Sequence, residues 1–111
     1  GPDVLSEKLS DFYTWDPPED DVIEDIKTKN PKLPLAKLTV GMWTFIIKSL
    51  TRQDVQNIDR EEPEDVSIAK VVTIWPTNVD WDMLPYGIFR FITAEANNLG
   101  GWDDDIEIEE L

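Results

Sequence analysis

Helix boundaries marked by proline recur at short intervals along this chain and restrict it to short elements. Residues 16–19, Asp-Pro-Pro-Glu, offer a capping side chain, proline at the first helical position and glutamate three residues after the cap, which is typical of a helix start. Pro31 and Pro34 are spaced so that they block a helix and favour an extended connector. Pro76 ends one apolar segment, and Pro85 stands at a first helical position that opens the last one.

Apolar side chains between these boundaries recur at helical spacing. Segment 66–75 is ambiguous, because its β-branched residues suit a strand while its spacing suits a helix. We favour a helix there, since no partner strand is evident. The sequence therefore predicts an all-α fold, a small single-domain bundle of four to six short helices. The expected helices cover residues 3–14, 17–29, 40–50, 52–58, 66–75 and 85–99.

The length of 111 residues fits one domain with a distinct end. Residues 1–2, Gly-Pro, are expected to be a cleavage scar from an expression fusion. Residues 3–102 are expected to form the helical domain, and residues 103–111 an acidic tail that is disordered unless a partner orders it. The tail is either a solubilising end or a linear motif. In the second case Ile106 and Ile108, which alternate with acids, add a strand to the sheet edge of a partner.

The chain has no cysteine and no histidine. These absences exclude disulfides, thiolate and histidine zinc sites, and Ser-His-Asp or Cys-His catalysis. The acidic clusters do not have the alternating ligand positions, central glycine and closing glutamate of a calcium loop. Asp80 and Asp82, which flank Trp81, are expected to cap a turn rather than to act as an acid–base pair. We therefore expect no enzyme activity, no cofactor and no metal.

The net charge of −14 limits the classes of partner. It disfavours direct contact with nucleic acid or with an anionic membrane, since both present negative charge. Residues 31–59 differ from the rest of the chain, with 4 basic and 2 acidic groups. The longest apolar stretch, residues 38–50, is well short of the roughly 20 residues of a membrane span. The expected partner is another protein with a basic or hydrophobic surface, and the expected location is the cytoplasm.

The five tryptophans suggest where such a partner binds. Trp43 and Trp75 lie inside apolar segments and are expected in the core. Three others lie beside turns and carboxylates, where an aromatic ring is either an interface anchor or peripheral core. With the two tail isoleucines, they are the predicted partner-binding residues: Trp15, Trp81, Trp102, Ile106 and Ile108.

Three segments carry a resemblance to a known family: residues 38–43 (LTVGMW), residues 72–77 (VTIWPT) and residues 79–85 (VDWDMLP). In these segments the chain resembles the small helical tail assembly chaperones of long-tailed bacteriophages, in which a turn similar to residues 79–85 precedes the final helix. The resemblance implies a helical protein of the host cytoplasm. Such a protein binds hydrophobic surfaces of unassembled tail tube subunits, or of the tape-measure protein, and keeps them soluble until assembly.

The functional hypothesis is therefore a non-catalytic protein–protein interaction protein, with an assembly chaperone as its narrower form. One alternative is a DNA-mimic inhibitor, which displays carboxylates at phosphate-like spacing to a nucleic-acid-binding protein. Such mimics carry acids throughout, whereas residues 31–59 are net basic. Another alternative is an interaction module cut from a larger protein.

Overall fold

A three-stranded antiparallel sheet with helices packed against it forms the fold, so the all-α prediction is wrong. The computed structural model describes residues 12–99 and 109–111. Strands pair in the order β1-β2-β3. In chain order the elements are α1 Asp20–Lys29, β1 Leu35–Val40, β2 Trp43–Lys48, α2 Arg52–Asn57, α3 Glu64–Val72, β3 Thr73–Trp75, a single 3₁₀ turn Trp81–Met83, and α4 Gly87–Asn98.

The helix predicted over residues 40–50 is instead the second half of a β-hairpin. Gly41 has φ +59°, and it opens a two-residue connection of the kind that favours glycine at the first central position. Side chains of β1 alternate across the sheet, with Leu38 and Val40 half-buried and Lys37 and Thr39 exposed. This period of two is the pattern of a strand, and antiparallel pairing with β1 makes residues 43–48 a strand in place of the predicted helix.

Segment 66–75, whose sequence suits both a helix and a strand, is a helix in its first part and a strand in its last part. Residues 66–72 lie in α3, and Thr73–Trp75 then form β3. Thr73 ends the helix, and its hydroxyl donates to the carbonyl of Ala69 at 2.7 Å. The strand forms because β2 supplies the antiparallel partner that sequence patterning did not reveal.

The remaining helix predictions hold with adjusted ends. In α2, Thr51 forms a reciprocal capping box with Asp54, in which each side chain accepts a hydrogen bond from the other residue's backbone N–H. In α4 the apolar side chains at helical spacing face the core, since Ile88, Phe89, Ile92 and Ala96 are buried and Leu99 is half-buried. Helix α1 begins at Asp20 rather than at residue 17, since a proline disfavours helical backbone in the residue before it.

The core lies between one face of the sheet and helices α3 and α4. Phe45 and Ile47 of β2, Val72 of α3 and Ile92 of α4 are the largest fully buried side chains. The opposite face of the sheet carries Ile46, whose neighbours include Ile26 of α1 around a shared groove. We call these two sides the inner and the outer face of the sheet.

The segment Tyr13–Trp15, here called the strap, runs beside the hairpin. Two indole N–H groups join the strap to β2. Trp15 of the strap donates to the carbonyl of Thr44 at 2.8 Å, and Trp43 of β2 donates to the carbonyl of Tyr13 at 2.7 Å. Residues 12–19 are not helical, so the end of the helix predicted over residues 3–14 is wrong. The rest of that prediction lies outside the described residues. Among the described ranges, no helix is both long and apolar enough to cross a membrane.

Candidate protein-binding surface on the last helix

Two of the predicted partner-binding residues, Trp15 and Trp81, are half-buried and pack against the core. Trp15 meets Phe45 edge-on, with ring centroids 5.4 Å apart. Trp81 stacks on the same Phe45, with an interplanar angle of 8°. Their rings therefore contribute to packing, and their role in partner binding stays a prediction. Trp102, Ile106 and Ile108 lie outside the described residues.

Six aromatic rings form a continuous series from the strap to the surface of α4. Trp81 connects the sheet to α4, because its ring stacks on Phe45 of β2 and its centroid lies 5.8 Å from that of Phe89 in α4. Phe89 in turn meets Tyr86 edge-on at 5.8 Å. Edge-to-face contacts of this kind hold rings in fixed orientations. The series is Tyr13, Trp15, Phe45, Trp81, Phe89 and Tyr86.

Large apolar side chains are exposed on and just before α4, where the series of rings ends at Tyr86. Met83 is 59% exposed, Tyr86 60% and Phe91 59%. Together with the exposed Arg90, these four residues are here called the α4 surface. Methionine, tyrosine, phenylalanine and arginine are the residue types enriched in protein interfaces. Large apolar side chains exposed on one element are candidates for a binding surface.

The backbone of α4 sets the spacing within the surface. Tyr86 has helical dihedral angles, so Arg90 lies one turn further along the same side. Phe91 lies one turn after Gly87, which is exposed and around whose Cβ position there is nothing within 4 Å. The surface beside Gly87 is therefore open, with no side chain packed over this glycine.

The charge at the α4 surface differs from that of the whole chain. No acidic residue occurs between Asp82 and Glu95, and Arg90 is the one charged residue between them. Within the described part of the chain, Arg90 makes no ion pair. An exposed guanidinium that stands between two phenylalanines in the sequence suits a partner that offers a carboxylate or a carbonyl oxygen next to an apolar side chain.

Sequence reasoning missed these residues although a signal was present. Phe91 lies outside the buried stripe of α4, and a phenylalanine that is not on the core side of an amphipathic helix is exposed by geometry. Tyr86 carried no such signal, because its exposure depends on where the helix begins.

The carboxylates show a structural role at one position. Burial pulls the pKa of Asp54 upward, but hydrogen bonds from the Lys48 ammonium and from the backbone and hydroxyl of Thr51 outweigh it and lower the pKa.

Asp80 and Asp82 are exposed, and the predicted cap is absent, since the Asp80 side chain makes no capping hydrogen bond to the 3₁₀ turn. The described residues contain no group of three carboxylates placed to hold a metal ion.

Comparison with protein-family models, with curated proteins and with solved structures gave no match for this chain. The geometry of the surface therefore carries the functional argument.

Proposed function

We propose that this protein acts without catalysis by binding another protein through the α4 surface. The observation that carries the proposal is the exposure of Met83, Tyr86 and Phe91 around Arg90, in a domain whose other aromatic rings largely pack inward. Buried aromatic and arginine anchors supply most of the binding energy in protein interfaces. Because Tyr86 is already held against Phe89, little side-chain entropy is lost when it binds.

The narrower form of the proposal is an assembly factor of the cytoplasm that covers apolar surfaces of unassembled subunits. An exposed aromatic surface on a highly charged domain suits that role, because the surface binds the subunit while the net charge of −14 keeps the complex soluble. The helical fold implied by the resemblance to phage tail assembly chaperones is not the fold of this chain. Support for the role therefore comes from the α4 surface and not from the fold.

Photo-crosslinking tests the proposal at a single position. Phe91→p-benzoylphenylalanine adds a photoreactive benzoyl group to the ring at an exposed position, and the same amino acid at Gln53 of α2, which is also exposed, provides the matched control. Both variants are expressed in the source cells and irradiated. We expect a protein adduct from position 91 and none of the same mass from position 53. The adduct should be lost when Arg90→Glu is added.

The identity of the adduct separates the functional alternatives. Unassembled structural subunits support the assembly-factor role, and a polymerase, nuclease or restriction enzyme supports the DNA-mimic role instead. Equal crosslinking from positions 91 and 53, or none from either, contradicts binding through the α4 surface.

A further inference from the structure

A groove opens on the outer face of the sheet, at some distance along the chain from the α4 surface. It lies between α1 and β1 and has a volume of about 210 Å³. A cavity of about 150 Å³ already holds a benzene-sized molecule, so the groove has room for an aliphatic side chain. Its lining is mostly apolar with two lysines: Ile23, Ile26, Lys27, Leu35, Ala36, Lys37 and Ile46.

The strand that borders the groove is at the edge of the sheet. β1 pairs with β2 on one side, and no described strand pairs with it on the other. Unpaired backbone groups of an edge strand are a template for a further strand. A strand added there lies about 4.8 Å from β1. Every second side chain then points to the outer face beside Leu35 and Lys37, where the groove lies.

The two charged residues that line the groove, Lys27 and Lys37, favour an acidic strand. Residues 26–53 hold 6 of the 10 basic residues of the chain and no acidic residue. Lys37 makes no ion pair within the described residues. Lys27 lies 3.5 Å from Glu24, and both side chains are largely exposed, a pairing that contributes little and leaves the ammonium available.

The described end of the chain does not occupy the groove. Glu109, Glu110 and Leu111 are exposed, and Leu111 makes no packing contact that reduces its exposure. Among the described residues nothing fills the groove, so it is accessible to a segment of another protein.

We propose that the β1 edge and the groove form a second docking surface, which takes an extended acidic segment of a partner protein. The segment adds a strand to β1 and places alternate apolar side chains in the groove. Its carboxylates then lie beside Lys27 and Lys37. This surface is independent of the α4 surface, so either proposal can fail alone.

A peptide titration of the full chain tests the second surface. The probe is a synthetic acidic peptide in which two isoleucines alternate with glutamates and whose sequence is not that of the chain's own tail. We expect the backbone amide NMR signals of residues 35–40 to shift, while those of β3 at the other edge do not. Replacing both isoleucines of the peptide by serine should abolish the shifts, although every charge is kept.

Two charge reversals in the chain provide the matched controls. Lys37→Glu should weaken peptide binding about tenfold, measured by fluorescence anisotropy, since the lysine meets the bound carboxylates. Lys32→Glu changes the net charge equally at an exposed position outside the groove lining, and should have a much smaller effect. Equal effects of the two reversals, or shifts that avoid residues 35–40, would overturn the proposal.

The other occupants give distinct results that also overturn it. If Ile106→Ser with Ile108→Ser in the chain raises the affinity for the peptide about tenfold or more, the chain's own tail is the natural occupant. If the amides of residues 35–40 shift on concentrating the protein without peptide, the occupant is a second copy of this chain.

Discussion

Gly41 is the residue on which the hairpin depends most directly. Its φ of +59° is unfavourable for a residue with a Cβ, although a Cβ there would meet only the Trp43 ring at 3.8 Å, an ordinary contact. Gly41→Ala should therefore lower the free energy of unfolding by about 1–2 kcal/mol through backbone strain alone. Urea denaturation measures the change.

Gly87→Ala is the matched control for this substitution. Gly87 opens α4, has no neighbour within 4 Å of its Cβ position and does not have a positive φ. Alanine is a better helix former than glycine, so stability should stay the same or rise slightly. A loss of stability at position 87 equal to that at position 41 would contradict the strain argument.

The Lys48–Asp54 pair should make stability depend on pH. Its two side chains are 15% and 17% exposed, so the charges are only partly screened. Because the pKa of Asp54 is lower in the folded chain than in the unfolded one, the contribution is complete above the unfolded pKa. It is lost as the pH falls through the folded pKa.

Asp54→Asn should therefore lower the free energy of unfolding by about 1–2 kcal/mol at neutral pH. The difference from the wild type should shrink as the pH falls below the ordinary range of an aspartate carboxyl. Asp25→Asn removes a carboxylate from the exposed pair with Lys29 and should change little at any pH. Denaturant titrations at several pH values compare the two, and a pH-independent effect of Asp54→Asn would count against the ion pair.

At the scale of elements, two substitutions of Trp15 separate the contributions of hydrogen bonding and of packing to the attachment of the strap to the hairpin. Trp15→Phe keeps a ring against Phe45 but removes the donor to the Thr44 carbonyl, and should cost about 1 kcal/mol. Trp15→Ala removes both and should cost about 2–3 kcal/mol, since the ring is half-buried. Equal losses in thermal or urea unfolding would show that the hydrogen bond contributes nothing.

Elements fixed by local chemistry were predictable, and those fixed by distant pairing were not. The capping box of Thr51 and the buried stripe of α4 are encoded within a few residues, and both are present. Residues 43–48 fit helical spacing equally well, and what makes them a strand is contact with β1 and β3. Of the candidate site, Phe91 was visible as an off-stripe aromatic, whereas the edge position of β1 depends on the order of the strands.

At the scale of the whole molecule, charge is segregated along the chain. The net charge is −14, yet residues 26–53 contain no acid and residues 83–94 contain only Arg90 as a charged group. Acidic surfaces elsewhere repel acidic molecules in general and increase solubility. Both docking surfaces draw most of their residues from these two segments, which contribute no carboxylate that would have to be desolvated on contact with a partner. This arrangement is consistent with a binding protein that stays soluble while it presents apolar surface.

The most direct test of binding through the α4 surface is to measure how tightly the Phe91→Ala variant binds the partner that crosslinking identifies. Because the ring is 59% exposed, its removal should leave the free energy of unfolding nearly unchanged. In isothermal titration calorimetry the affinity should fall by at least about tenfold, as for an aromatic anchor at the centre of an interface, while Gln53→Ala should bind as the wild type does. Unchanged affinity of a folded Phe91→Ala variant would contradict binding through the α4 surface.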